Sequence, residues 1–203
     1  MTIYKYNKMY PQSLSGHVDT LRTLMRIFRR AKADVTYSKG YNPHMEIFCS
    51  PALGLGTESL CEYVAVKGAP CAIDILNSVS APGIKFVASF TTDDVNIAAL
   101  VTSAVYAVHC AGIAEKQQMF WAKPFNIVQS SKEGDKIKDV SSKIFGVEVV
   151  DKDDILIKVA CGNDNLRPDK LLQTLNSDDY GIVKQQMFIG ELTVDEYLSQ
   201  RTM

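Results

Sequence analysis

Two of the chain's three histidines and an unbroken set of arginines sit in one short stretch. His17-Val-Asp-Thr-Leu-Arg-Thr-Leu-Met-Arg-Ile-Phe-Arg-Arg-Ala31 is followed by Tyr37-Ser-Lys-Gly-Tyr-Asn-Pro-His44. On a helix of about 3.6 residues per turn, Arg22, Arg26, Arg29 and Arg30 share an arc roughly 100° wide. Guanidinium forks match phosphate oxygens in pairs, so one reading is a phosphate-contacting stripe. The other reading is the solvated face of an amphipathic helix. In the loop, Gly40 permits positive φ and Pro43 stiffens the chain on either side of itself. Lys39, Tyr41, Asn42 and His44 would then be held in a set geometry, with Lys39 against a phosphate and Tyr41 stacked on a base. The plain alternative is a strand connection with Tyr41 packed inward. His17 and His44 are the acid–base candidates, although neither has an orienting partner nearby in sequence.

The elements that must position these residues follow from periodicity. Val18, Leu21, Leu24, Met25 and Phe28 form the apolar arc of the arginine helix. Gly16 takes its N-cap, and Asp19 falls where a carboxylate can reach back to the cap amide, a capping role rather than a catalytic one. Around the helix, the order strand, helix, strand, strand, helix, strand is expected: Ile3–Met9 as an edge or half-buried strand, then 17–31, Val35–Tyr37 with Met45–Cys49, Glu62–Val66, Ala72–Val79 and Ile84–Phe90. The second part repeats the plan. It has strands at Val101–Ala111, Phe125–Gln129, Phe145–Val150, Ile155–Ala160 and Ile182–Ile189, with helices at Ala114–Ala122, Pro168–Leu175 and Thr193–Gln200. Lys132–Lys136 reads as a polar turn and Asp151–Asp154 as a hairpin turn. The fold class expected is α+β, as two ferredoxin-like halves with a split β-α-β order, 1–92 and 101–203. A single sheet shared by both halves stays open at this point.

Composition limits the function classes. The 203 residues carry 22 basic and 23 acidic side chains, so any nucleic-acid affinity must come from a local patch. No apolar run approaches the roughly 20 residues of a membrane span, and no signal-peptide core is evident, so a cytoplasmic location is expected. The five cysteines are scattered and unpaired in any CxxC, which argues for reduced core thiols over a disulfide or metal framework. Gly54-Leu-Gly-Thr-Glu-Ser59 lacks the ending of a phosphate-binding P-loop and reads as a turn into the Glu62 strand. HExxH and GxSxG are absent, and no local spacing of Glu58, Glu62 and the histidines demands a metal. His109 belongs to an apolar strand.

The segments GHVDTLRTLMRIFRRA, YSKGYNPHMEIFCSPALGLGTES, EYVAV and LRPDKLL resemble the radical SAM-linked protein family, a bacterial domain of unknown function. Gly16 replaces the serine usual there, and Met45 the proline that often follows the loop histidine. The resemblance implies association with a radical SAM protein encoded beside the family or fused to it. The chain has no CxxxCxxC run, so an iron–sulfur cluster and SAM would belong to that partner. Its layout also resembles doubled ferredoxin-like RNA-handling proteins such as pseudouridine synthases and repeat-associated RNA endonucleases. The expectation is an accessory protein that binds RNA or another phosphate-bearing substrate. Its rivals are a metal-independent RNA-cleaving or RNA-modifying enzyme using His17 or His44, and a protein–protein adaptor.

Overall fold

Alternation in Thr-Ile-Tyr-Lys-Tyr-Asn-Lys makes strand β1 (Thr2–Lys8), but not an edge strand. In the computed structural model, which describes residues 1–93, 95–131, 134–175, 177 and 179–201, β1 is flanked on both sides. Antiparallel neighbours β3 (Glu58–Val66) and β4 (Ile84–Thr91) cover both of its edges, and core clusters on either side of the sheet bury both of its faces. Tyr4 and Tyr6 face one cluster with Phe28 and Phe86, while Ile3 faces the other with Tyr63.

Helix α1 (His17–Arg30) lies over the tyrosine face. Thr20, Leu24, Ile27 and Phe28 are its buried residues, and Val18 is exposed in the first turn. The buried arc is therefore rotated toward Thr20 and Ile27 and away from Val18. The short α2 (Ile73–Ser78) covers the same face through Leu76. Between α1 and β3, the expected strands at 35–37 and 45–49 shrink to isolated bridges, Val35 to Gly68 and Tyr37 to Met45, plus the short β2 (Ile47–Cys49). Gly68 has φ +139°, and a Cβ there would lie 1.9 Å from the Asp34 carbonyl oxygen. Only glycine lets these two chain segments cross so closely.

After α3 (Ile97–Leu100), capped by the Asn96 side chain, come β5 (Ser103–Cys110) and a 3-10 helix at Ile113–Trp121, where the sequence suggested a short helix. Strands β6 (Asn126–Ser131) and β7 (Gly134–Asp139) form a separate hairpin. The polar turn expected at 132–136 thus gives way to a strand from Gly134, and Lys132 and Glu133 lie outside the described residues. β8 (Ile144–Val149), β9 (Asp154–Ala160), α4 (Pro168–Thr174, proline in the first turn), β10 (Tyr180–Ile189), the short β11 (Leu192–Thr193) and α5 (Val194–Ser199) complete the chain.

One nine-stranded, mostly antiparallel sheet runs through both halves in the order β4-β1-β3-β10-β5-β9-β8, with β2 on β3 and β11 on β10. The junction is a shared edge of β3. β2 pairs with Val64–Val66, and β10 pairs in parallel with Glu58 and Ser59. Helix α5 covers the face opposite α1, where Asp195 accepts hydrogen bonds from Tyr63 Oη at 2.8 Å and from Lys5. Among the described residues, no helix is long and apolar enough to cross a membrane.

Candidate functional site

The four arginines of α1 lie across the helix from Leu24, Ile27 and Phe28, and all are exposed. Arg22 donates to Asp19 at 3.1 Å, in a pair with both side chains about two-thirds exposed. Asp19 therefore serves Arg22, three residues on, rather than the cap amide, and the stripe carries one acid, which falls on the same arc of the helix. Among the described residues, Arg26, Arg29 and Arg30 have no carboxylate partner. Their charge faces solvent, where an exposed pair would be worth little but an arriving phosphate meets no competitor.

The chain continues into a hairpin at the C-terminal end of the helix. Ala69 N–H donates to the Asp34 carbonyl, which stands only four residues past Arg30. The hairpin is closed by Glu46 N–H to Thr36 O at 2.9 Å, Ser38 N–H to His44 O at 2.8 Å, and His44 N–H to Ser38 Oγ at 2.9 Å. Lys39, Gly40, Tyr41, Asn42 and Pro43 form its tip, all exposed. Tyr41 reaches the full exposure of an isolated residue, which overturns the inward-packed alternative. Gly40, at φ +147°, makes the turn that puts it there. The base of this hairpin thus lies at the end of α1 that carries Arg29 and Arg30, and Lys39, Tyr41, Asn42 and His44 belong to its outer part.

His17 sits at the opposite end of α1, about 20 Å away by helical rise. It lines a cavity of about 10 Å³ together with Lys8, Ser50 and Glu62, and none of the lining residues comes from the hairpin. Among the described residues, neither His17 nor His44 has a side-chain partner that would orient its ring. The geometry gives the two histidines separate surroundings, so they do not act on one substrate atom.

The sequence did not point to the group beside His17. Glu62 and Lys184 form a buried ion pair, with Nζ to Oε1 2.6 Å and side chains 5% and 1% exposed. Ser59 Oγ donates to Glu62 Oε1 at 2.7 Å and Ser50 Oγ to Oε2 at 3.0 Å. Burial pushes the Glu62 carboxyl up, but Lys184 and the two serines outweigh it, leaving it below the ordinary range. Burial likewise lowers Lys184, and the Glu62 charge more than restores it, so the lysine stands above its ordinary value. Both therefore stay charged at neutral pH. Lys8, also buried, donates to the Ser15 carbonyl at 2.7 Å, and burial holds it below the usual lysine range. The adjoining cavity has room for one water at most, so this cluster joins the halves and does not admit a substrate. Its signal in sequence was a lone charge inside each of two otherwise apolar strands, Leu60-Cys-Glu-Tyr-Val64 and Ile182-Val-Lys184.

The remaining expected positions are ordinary. All five cysteines are free thiols, and burial pushes Cys49 and Cys61 up to about 12, away from nucleophilic use. His109 projects from β5 and shares a 2.9 Å hydrogen bond with Asp154, its cross-strand neighbour.

Comparison with family models finds a match over residues 2–168 to one described as an uncharacterized protein conserved in bacteria (DUF2344). No curated protein matches the chain.

Proposed function

The chain belongs to that bacterial family, and from this premise we propose that it is an accessory protein that binds RNA or another phosphate-bearing substrate. One observation carries the reading. Arg26, Arg29 and Arg30, free of carboxylate partners among the described residues, occupy the last two turns of α1, and the chain runs from there into a hairpin that holds Tyr41 fully exposed. A ring held fully exposed on a hydrogen-bonded turn is available to stack on a planar group without rearrangement. Stacking on a base, with guanidinium groups on the flanking phosphates, uses both features.

The finer reading extends the resemblance. The partner would be a radical SAM protein that supplies the iron–sulfur cluster and SAM, acting in the cytoplasm on the substrate this chain presents. The strand orders β4-β1-β3-β2 and β10-β5-β9-β8 support two ferredoxin-like halves fused along β3 and β10. Such doubled sheets handle RNA elsewhere, an argument at the level of fold alone. The stand-alone enzyme reading loses ground because His17 and His44 are separated and unoriented.

The test is RNA binding by the purified chain at about 50 and 200 mM salt, wild type beside Arg26→Ala/Arg29→Ala/Arg30→Ala. Affinity that falls by an order of magnitude or more over that range, and is lost in the triple variant, is expected. Affinity indifferent to both salt and the substitutions would overturn the reading and leave this face as a protein-docking surface.

A further inference from the structure

A second basic site lies in the other half, where the sequence placed none. The β6–β7 hairpin stands off the main sheet and leans on α4, enclosing a pocket of about 430 Å³. That volume falls in the range of small-ligand sites, roughly 300–1,000 Å³. Ile127, Val140 and Leu166 are buried at its floor. Four cations line it: Lys138, Lys143, Arg167 and Lys170.

The charges do not cancel. Lys143 is paired with Asp164, and Arg167 is gripped through both ends of its fork by Asp169, Nε to Oδ1 at 3.0 Å and Nη2 to Oδ2 at 2.6 Å. Lys138 has no carboxylate partner among the described residues, and Lys170 donates only to the neutral Gln173 amide, at 3.0 Å. One of these two lysines comes from β7 and the other from α4. Lys138 is directly across from Ile127, so both point to the same side of the hairpin, toward the pocket. Two lysines without an ion pair of their own among the described residues therefore stand over an apolar floor, Lys138 sharing the field of Asp164 with Lys143.

We infer that this pocket binds a phosphate monoester carrying a flat apolar body of nucleotide size. The dianionic phosphate is held by Lys138 and Lys170, and the body lies on Ile127, Val140 and Leu166. Lys143 and Arg167, already neutralised, shape the wall and are not the primary anchors. This site is independent of the arginine face and stands whether or not that face binds RNA.

Calorimetric titration of the full chain with adenosine monophosphate, adenosine and inorganic phosphate tests the inference. Saturable binding of the monophosphate is expected, with adenosine and phosphate each weaker by about tenfold or more. Lys138→Gln/Lys170→Gln keeps the side-chain stems at surface positions and removes only the charges. It should keep the wild-type circular dichroism and weaken monophosphate binding roughly a hundredfold. The Arg26→Ala/Arg29→Ala/Arg30→Ala variant should bind the monophosphate as wild type does. The inference is overturned by absence of saturable monophosphate binding, by phosphate alone binding as tightly, by undiminished binding in the lysine variant, or by equal loss in the arginine variant.

Discussion

Replacing Lys184 by methionine asks the most of the physical argument. The substitution keeps the length and apolar stem of the side chain and removes its charge, leaving Glu62 ionised at 5% exposure with only Ser50 and Ser59 as donors. Breaking a buried pair from one side costs about 3–5 kcal/mol. For a chain of this size that lowers the melting temperature by roughly 6–20 °C. The pH dependence is the sharper test. In the wild type the folded Glu62 carboxyl sits below its unfolded value of about 4.3. Its stabilising contribution is therefore present above that pH and is lost as pH falls through the folded value. In Lys184→Met, burial is the largest influence left, so the carboxyl rises above its unfolded value and the sign reverses. The variant's penalty then appears as pH rises past about 4.3 and is relieved on acidification. Lys8 also acts electrostatically on Glu62 and opposes this swing. Urea unfolding at pH 7 and pH 4 measures both effects. A gap between wild type and variant below about 1 kcal/mol at pH 7, or one that fails to narrow at pH 4, would refute the reasoning.

Four further outcomes are expected. Tyr41→Ala should leave stability within about 0.5 kcal/mol, because its ring packs on nothing, while weakening single-stranded RNA binding by about 1–3 kcal/mol; parallel melting and binding assays check both. Phe28→Ala removes a ring tilted against Tyr4 at 5.5 Å and edge-to-face with Phe86 at 5.9 Å, and should cost about 3–5 kcal/mol in urea unfolding. Gly68→Ala drives a methyl group into the Asp34 carbonyl at positive φ, so a melting point lower by several degrees is expected from a loss above about 1 kcal/mol. The His109 ring should titrate above about 6.5, through its hydrogen bond to Asp154 and then that residue's charge, and fall back in Asp154→Asn by NMR.

The parts of the fold that sequence revealed are those whose pattern is local. α1, β4, β9 and α4 show their buried faces at the spacing of their own backbone, and the Pro168 helix start and the 151–154 turn follow from residue chemistry alone. β7 did not show itself, because Gly-Asp-Lys-Ile-Lys-Asp is exposed throughout and becomes a strand only by pairing with β6. Val18 was placed inward because a helical wheel counts side-chain polarity, whereas the face that packs on the sheet is centred on Thr20, Leu24, Ile27 and Phe28 and takes in a threonine. The arginine face and the hairpin were legible as chemistry, but their separation from His17 is set by the direction in which α1 crosses the sheet. Glu62 and Lys184 escaped because their partnership spans distant strands, and no spacing rule joins them. The pocket under β6–β7 escaped for the same reason: Lys138 and Lys170 come to line one pocket only once the hairpin leans on α4.

The shared edge of β3 has a consequence for fidelity of assembly. β10 is matched to β3 at only two positions, Val183 with Glu58 and Lys184 with Ser59, which is little backbone pairing to define how two halves of a sheet align. Successive side chains on a strand point to opposite faces, so a slip of β10 by one residue would swing Lys184 to the wrong side. Glu62 would then be stranded without its cation and Lys184 without its anion, each in an apolar setting. A misaligned sheet thus pays twice for the same error, whereas an apolar pair at these positions would tolerate it. The ion pair acts as a keyed joint, rejecting near-miss alignments that backbone hydrogen bonding at two positions would leave almost equal in energy.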